Sequence, residues 1–191
     1  MATYSEKVTT PKFRVGYERI LKGEKTDNGD LKYPITLVFP AGADLSALKK
    51  AAEDVAKEEW GGKAKGVKMP FLKHTQTGQD GERYCDKMEN LYEDDDDAFF
   101  IRAVSYSKPG LVDPMLNDIF EQEDFYSGCY ARATVVAKTW ENSGKKGVTF
   151  YVNNVQKMAD GDRIGGVRTK AQNDFEAVES VEDLFGDEEA A

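Results

Sequence analysis

The most restrictive feature of this 191-residue chain is a pair of long alternating runs, YSGCYARATVVAKTWE (Tyr126–Glu141) and GVTFYVNNVQKM (Gly147–Met158), joined through Asn142, Ser143 and Gly144. A two-residue period sends successive side chains to opposite faces of an extended strand, and the Asn-Ser-Gly triplet is turn chemistry. The two runs therefore predict an antiparallel hairpin with one face in a core and one in solvent. In the first run the odd positions Cys129, Ala131, Ala133, Val135 and Ala137 are small and apolar, fit to pack inward. The even positions Tyr130, Arg132, Thr134, Val136, Lys138 and Trp140 alternate rings and cations on the other face. In the second run Thr149, Tyr151, Asn153 and Lys157 share a face by the same count.

Three more strands are legible. Lys12–Leu21 is rich in strand formers and puts Lys12 and Arg14 on one face; Lys32–Phe39 aligns Tyr33, Ile35, Leu37 and Phe39. Pro34 argues that this second strand is an edge, or that Pro34 stands near its start. Ala98–Ser107 places Phe100, Arg102, Val104 and Tyr106 together. One helix is expected from Leu45 to Trp60, where apolar residues recur every three or four positions, with Asp44 as its N-cap and Gly61–Gly62 as its stop. Residues 1–11 read as a loose arm, residues 63–97 mostly as loop, and 159–170 as a basic, glycine-rich exit. No βαβ alternation occurs. Five strands with one inserted helix is the element count of an OB-fold, a small, mainly β barrel. The expected organisation is an OB-fold domain over 1–170 followed by a disordered acidic tail over 171–191.

Charge supports that division. The chain has 26 basic and 35 acidic residues, for a net charge of −9. From Ala171 onward there are eight acids and no Lys or Arg, leaving −1 for residues 1–170. Five of the remaining acids form one run, Glu93–Asp97, without which the body would carry +4. A low overall pI thus conceals a body able to meet a polyanion. Cys85 and Cys129 make no disulfide framework and the N-terminal stretch is polar, so reduced thiols in a cytoplasmic compartment are expected.

The tools of catalysis are scarce. His74 is the only histidine, and one His with two distant Cys cannot fill a structural zinc site. No P-loop, nucleophile elbow or dinucleotide fingerprint is present. The Glu93–Asp97 run lacks the spacing of an EF-hand loop. The expectation is a non-enzyme without cofactor or metal. Single-strand binders, by contrast, pair a cationic groove with aromatic platforms, since phosphates meet Lys or Arg and bases stack on rings. The residues proposed for DNA on this ground are Lys12, Arg14, Arg102, Tyr106, Tyr130, Arg132, Lys138, Trp140, Tyr151 and Lys157, with Arg163 and Arg168 in the exit. The competing readings are a metal-dependent nuclease of DNA metabolism and an acidic interaction or DNA-mimic module.

FYSGCYARATV (Phe125–Val135), KGVTFYVNNVQKMADGDRIGG (Lys146–Gly166) and FFIRAVSYSKPGLVD (Phe99–Asp113) resemble a family of bacteriophage single-stranded-DNA-binding proteins. The strands FRVGYERIL and KYPITLVFP and the helix ending at Trp60 fall in that family's order. The family is similar in plan to the OB-fold proteins of T7-like phages, which also carry an acidic tail. The resemblance implies sequence-tolerant, non-catalytic binding of single-stranded DNA, and of duplex more weakly, during phage replication or recombination in the cytoplasm of the infected bacterial host. An acidic tail tethered beside a cationic groove is further expected to compete with DNA and, once released, to recruit replication or recombination proteins. Leu184, Phe185, Asp187, Glu188 and Glu189 are its expected handle. In the T7-like pattern an aromatic ends the chain, whereas here Phe185 is followed by GDEEAA.

Overall fold

The structure, a computed structural model, describes residues 2–63, 66–73 and 98–164. Its elements run β1 (Val8–Thr9), β2 (Phe13–Glu18), β3 (Glu24–Lys25), β4 (Leu31–Phe39), α1 (Ser46–Trp60), β5 (Leu72–Lys73), β6 (Phe99–Ser105), β7 (Gly110–Val112), β8 (Tyr130–Asn142) and β9 (Lys145–Ala159). Five strands close a ring in the order β8, β2, β4, β6, β9, and β8 pairs with β9 to shut it. The first three ring strands follow one another and β8 returns beside β2, which is Greek-key order. This is the expected OB-fold barrel with one helix. Four joints are antiparallel, and β6 runs parallel to β9. Directions cannot alternate all the way around an odd-numbered ring, so one joint has to be parallel.

The β8–β9 hairpin forms as its alternation predicts. Asn142 faces Lys145 across a two-residue turn in which Ser143 (φ 49°) and Gly144 (φ 76°) are both left-handed. That is the type I′ geometry whose twist matches the flanking strands. Cys129, Ala131, Ala133, Val135 and Ala137 are all buried. They join Phe13, Val15, Leu37, Phe39, Ile101, Phe150 and Val152 in one core. Helix α1 buries Leu48, Ala51, Ala52, Val55 and Ala56, the predicted stripe, in the same core. Alanines on both α1 and β8 let the helix lie close against the barrel. Asp44 accepts a hydrogen bond from the Ser46 N–H (3.0 Å), while Leu45 holds the cap position without a side-chain bond.

Four local expectations change. The arm is not loose: Thr10 N–H donates to Ala133 (2.8 Å), Ser5 N–H to Ala137 (2.9 Å), and Thr139 N–H to Thr3 (3.0 Å). Strand β8 is longer than β2, so its edge beyond Ala131 would stand unpaired, and the arm supplies the missing ladder. Pro34 does not mark an edge, because β4 pairs with β2 and β3 on one side and with β6 on the other. Its carbonyl accepts from Arg19 N–H (2.9 Å) just past the end of β2, beyond the bulge between Val15 and Glu18. A strand residue's N–H and C=O point the same way, so the absent proline N–H falls where the ladder is already interrupted. The connection after Lys108, where no strand is expected, contains β7, parallel to β9. Strand β8 begins at Tyr130 because Gly128, at φ 115°, lies against the exit segment: a Cβ there would stand 1.9 Å from the Asp162 carbonyl oxygen.

Strand β9 is irregular in a way that alternation cannot show. Val135 faces Val152, yet Thr134 faces Asn154, so Asn153 is an extra residue. Val152 and Val155 both point into the core. Beyond the bulge the outward positions become Asn154 and Gln156, and Lys157 falls opposite the inward residue Ala131.

Candidate nucleic-acid interface

The outer face of the β8–β9 hairpin carries three clusters of rings and cations. In the first, Tyr130 lies at the start of β8, with Lys12 Nζ 5.4 Å and the Arg14 guanidinium carbon 5.5 Å from its ring centre. Arg14 is also tied to the barrel, donating from Nε to the Gly128 carbonyl (3.0 Å) and from Nη2 to the Asp162 carbonyl (2.8 Å). Its charge is therefore held in place beside Tyr130.

The second cluster centres on Lys138. Its ammonium sits 4.6 Å from the Tyr151 ring centre and 5.3 Å from that of Tyr4, and donates to the Tyr151 hydroxyl (2.9 Å). That hydrogen bond outweighs burial and holds the lysine above its ordinary pKa, so the cation is secure at neutral pH. The Tyr106 ring lies 5.7 Å from Tyr151. Tyr106 and Tyr4 are 59% and 54% exposed and Tyr151 is half-buried, so all three rings reach solvent where a base can stack. Val136 faces Tyr151, and Val104 lies beside it on β6. Arg102 is exposed on β6, 5.8 Å from the Phe100 ring, whereas Phe100 itself is buried with Val38 and Leu72.

The third cluster lies toward the hairpin turn. Trp140 and Trp60 border a cleft of about 400 Å³ that Lys138 also lines, and Lys146 stands 5.4 Å from the Trp60 ring. From Tyr130 to Lys138 is eight residues of strand, roughly 26 Å at about 3.3 Å per residue.

Between the first two clusters the face is polar. Arg132 Nε donates to Gln156 Oε1 (2.8 Å), and Asn154 stands beside Gln156 on the outer side. A cleft of about 300 Å³ opens here.

Most of the sequence-predicted residues converge on this face: Lys12, Arg14, Tyr130, Arg132, Lys138, Trp140 and Tyr151, with Arg102 and Tyr106 alongside. Lys157 does not share the face of Tyr151, because the Asn153 bulge reverses its direction. It bonds the Asp124 carbonyl (2.6 Å) and Asp160 (2.8 Å), near the Tyr126 ring. Burial opposes its charge, but Asp160 prevails and its pKa is raised. Arg163 stacks 4.0 Å over Tyr126 and donates to the Glu123 carbonyl, which ties the described part of the exit, up to Ile164, to the barrel. Arg168, the tail residues Leu184, Phe185, Asp187, Glu188 and Glu189, His74, Cys85 and the Glu93–Asp97 run lie outside the described residues. Tyr4, Trp60, Asn154 and Gln156 were missed. Tyr4 stood in an arm read as loose, Trp60 looked like a helix end, and the amides were hidden by the bulge. Among the described residues no three His, Cys, Asp or Glu side chains come together as a metal site.

The molecule is thus an OB-fold protein with a long, cation- and ring-bearing sheet face. Its backbone resembles that of the single-stranded DNA-binding protein from bacteriophage Enc34, with a TM-score of 0.60 at 19% identity over 89% of this chain and 90% of that one. The same phage protein solved in complex with ssDNA matches equally, with a TM-score of 0.60 over 83% of this chain and 89% of that one, at 19% identity. The single-stranded DNA-binding protein gp2.5 of bacteriophage T7 gives a TM-score of 0.61 at 12% identity, covering 90% of this chain and 96% of its own. In sequence, the putative protein p50 of Acyrthosiphon pisum secondary endosymbiont phage 1 is 26% identical over 160 residues, 81% of this chain and 84% of that protein. The chain belongs to the family described as Enterobacter phage Enc34, ssDNA-binding protein, whose model matches residues 6–185.

Proposed function

We propose that this protein binds single-stranded DNA without catalysis and with little sequence preference, where phage replication or recombination exposes single strands in the cytoplasm of the infected host. The observation that carries this is the run of clusters along one face: Lys12 and Arg14 around Tyr130, then Lys138 among Tyr4, Tyr151 and Tyr106. The cations of each cluster meet phosphates at separate points along the strand, while the exposed rings take bases, which every base can satisfy because each has a π-face. Family membership and the solved complex of the Enc34 protein with ssDNA support the same ligand.

The acidic residues 171–191 complete the proposal. A tethered polyanion has a high effective concentration at a cationic face, so it competes with DNA and is released when DNA binds. Once free, Leu184 and Phe185 among Asp187, Glu188 and Glu189 offer a small apolar handle to replication or recombination proteins. The test is a salt titration of oligo-dT and duplex binding by the full chain and by a chain ending at Lys170. Affinity for oligo-dT should fall with a log–log slope of about −0.7 per neutralised phosphate, and duplex should bind more weakly. Truncation should tighten binding most at low salt, where screening is weakest. No oligo-dT binding at low salt would end the DNA proposal. Equal affinity of both chains at every salt concentration would end the competition proposal.

A further inference from the structure

The bulge in β9 replaces a cation with two amides at the middle of the proposed DNA track. Without the bulge, plain alternation from Tyr151 would put Asn153, Val155 and Lys157 outward. With it, Asn154 and Gln156 face outward beside Thr134 and Arg132. Bulges interrupt a ladder, and they recur where a side chain has to be re-aimed. What this one builds is a cleft of about 300 Å³ lined by Thr9, Val112, Arg132, Thr134, Asn154 and Gln156. We propose, building on single-stranded DNA as the ligand, that this cleft takes the hydrogen-bonding edge of one unstacked nucleobase, between the two aromatic clusters.

Three observations support a base rather than a phosphate. First, the cleft is pre-organised: Gln156 Oε1 accepts from Arg132 Nε, and Gln156 Nε2 donates to the Asp113 carbonyl at 3.3 Å. This fixes the guanidinium plane and leaves its terminal N–H groups without a partner among the described residues, ready for a base carbonyl or for stacking. Second, the Asn154 side chain has no hydrogen bond among the described residues, and its amide both donates and accepts, as the edges of all four bases do. A Cβ on Gly110 would meet Asn154 Oδ1 at 2.6 Å, so glycine on β7 is what lets this amide lie where it does. Third, the buried Thr134 hydroxyl has no partner among the described residues, and a turn about its side-chain bond offers it to an occupant of the cleft. A phosphate needs donors only, whereas this set mixes donors and acceptors.

The test compares oligo-dT with an abasic oligonucleotide of the same length and charge, binding to the full chain and to T134V and N154A. Val keeps the shape of Thr134, and Asn154 is exposed, so both variants should fold; melting curves check this. Each variant should bind oligo-dT about 3- to 10-fold more weakly, in line with the loss of one hydrogen bond, and should bind the abasic strand as the unmodified chain does. Equal loss on both strands would assign the cleft to the sugar–phosphate backbone and overturn the proposal, as would no loss on either. If the unmodified chain binds neither strand, the DNA assignment itself fails, a result distinct from either of these.

Discussion

Tyr151 is the residue on which the aromatic half of the proposed interface can be judged. Replacing it with alanine removes the ring between Lys138 (4.6 Å) and Tyr106 (5.7 Å). A base stacked on an aromatic side chain is worth about 1–3 kcal/mol, or roughly 5- to 150-fold in affinity. Tyr106 remains as an exposed neighbour, so the loss should fall toward the lower end, about tenfold. Y151F keeps the ring and deletes only the hydroxyl that accepts from Lys138, so its affinity should stay within about twofold of the unmodified chain. Neither change removes a cation, and the salt slope should be unaltered. K138Q should instead reduce the slope by about 0.7. The assay is fluorescence anisotropy with labelled oligo-dT over a range of salt, with melting temperatures measured in parallel because Tyr151 is half-buried. A Y151A loss under twofold, or a Y151F loss equal to that of Y151A, would refute stacking on this ring.

Two further predictions concern the scaffold. G128A should destabilise the fold by at least about 2 kcal/mol, combining a strained left-handed backbone with a Cβ set against the Asp162 carbonyl. The melting temperature should drop by about 5–10 °C, and an unchanged value would show that the exit segment is not packed there. Glu18 is buried, and desolvation pushes its carboxyl above the ordinary value of 4.5 against the bonds it accepts from Ile20 N–H and Gln122. The folded state therefore binds the proton more tightly than the unfolded chain. Stability from this group is full below 4.5 and is lost as pH rises through the raised folded value. Relative to E18Q, the unmodified chain should gain melting temperature on acidification from pH 8 to 5; parallel curves for the two would refute it.

Local pattern decided a great deal here, for reasons specific to each element. Strand β8 was legible because one side of it meets the core and the other meets water, so alternation records burial residue by residue. The helix was legible because Leu48, Ala51, Ala52, Val55 and Ala56 recur at its own period and Gly61–Gly62 stop it. Parity put Lys12 with Arg14, Tyr130 with Lys138, and Tyr151 on outward faces, but it is the pairing of β2 with β8, Arg14 opposite Tyr130, that gathers the first cluster. Tertiary structure decided what no local period contains. The parallel joint of β6 with β9 follows from closing a five-membered ring. The docking of Thr3–Thr10 follows from the excess length of β8, which leaves hydrogen-bonding groups to be paired. The bulge at Asn153 turned Lys157 inward to Asp160 and set Asn154 and Gln156 on the outer face. A single inserted residue reverses every side chain after it, and only the register against β8 reveals where that insertion lies.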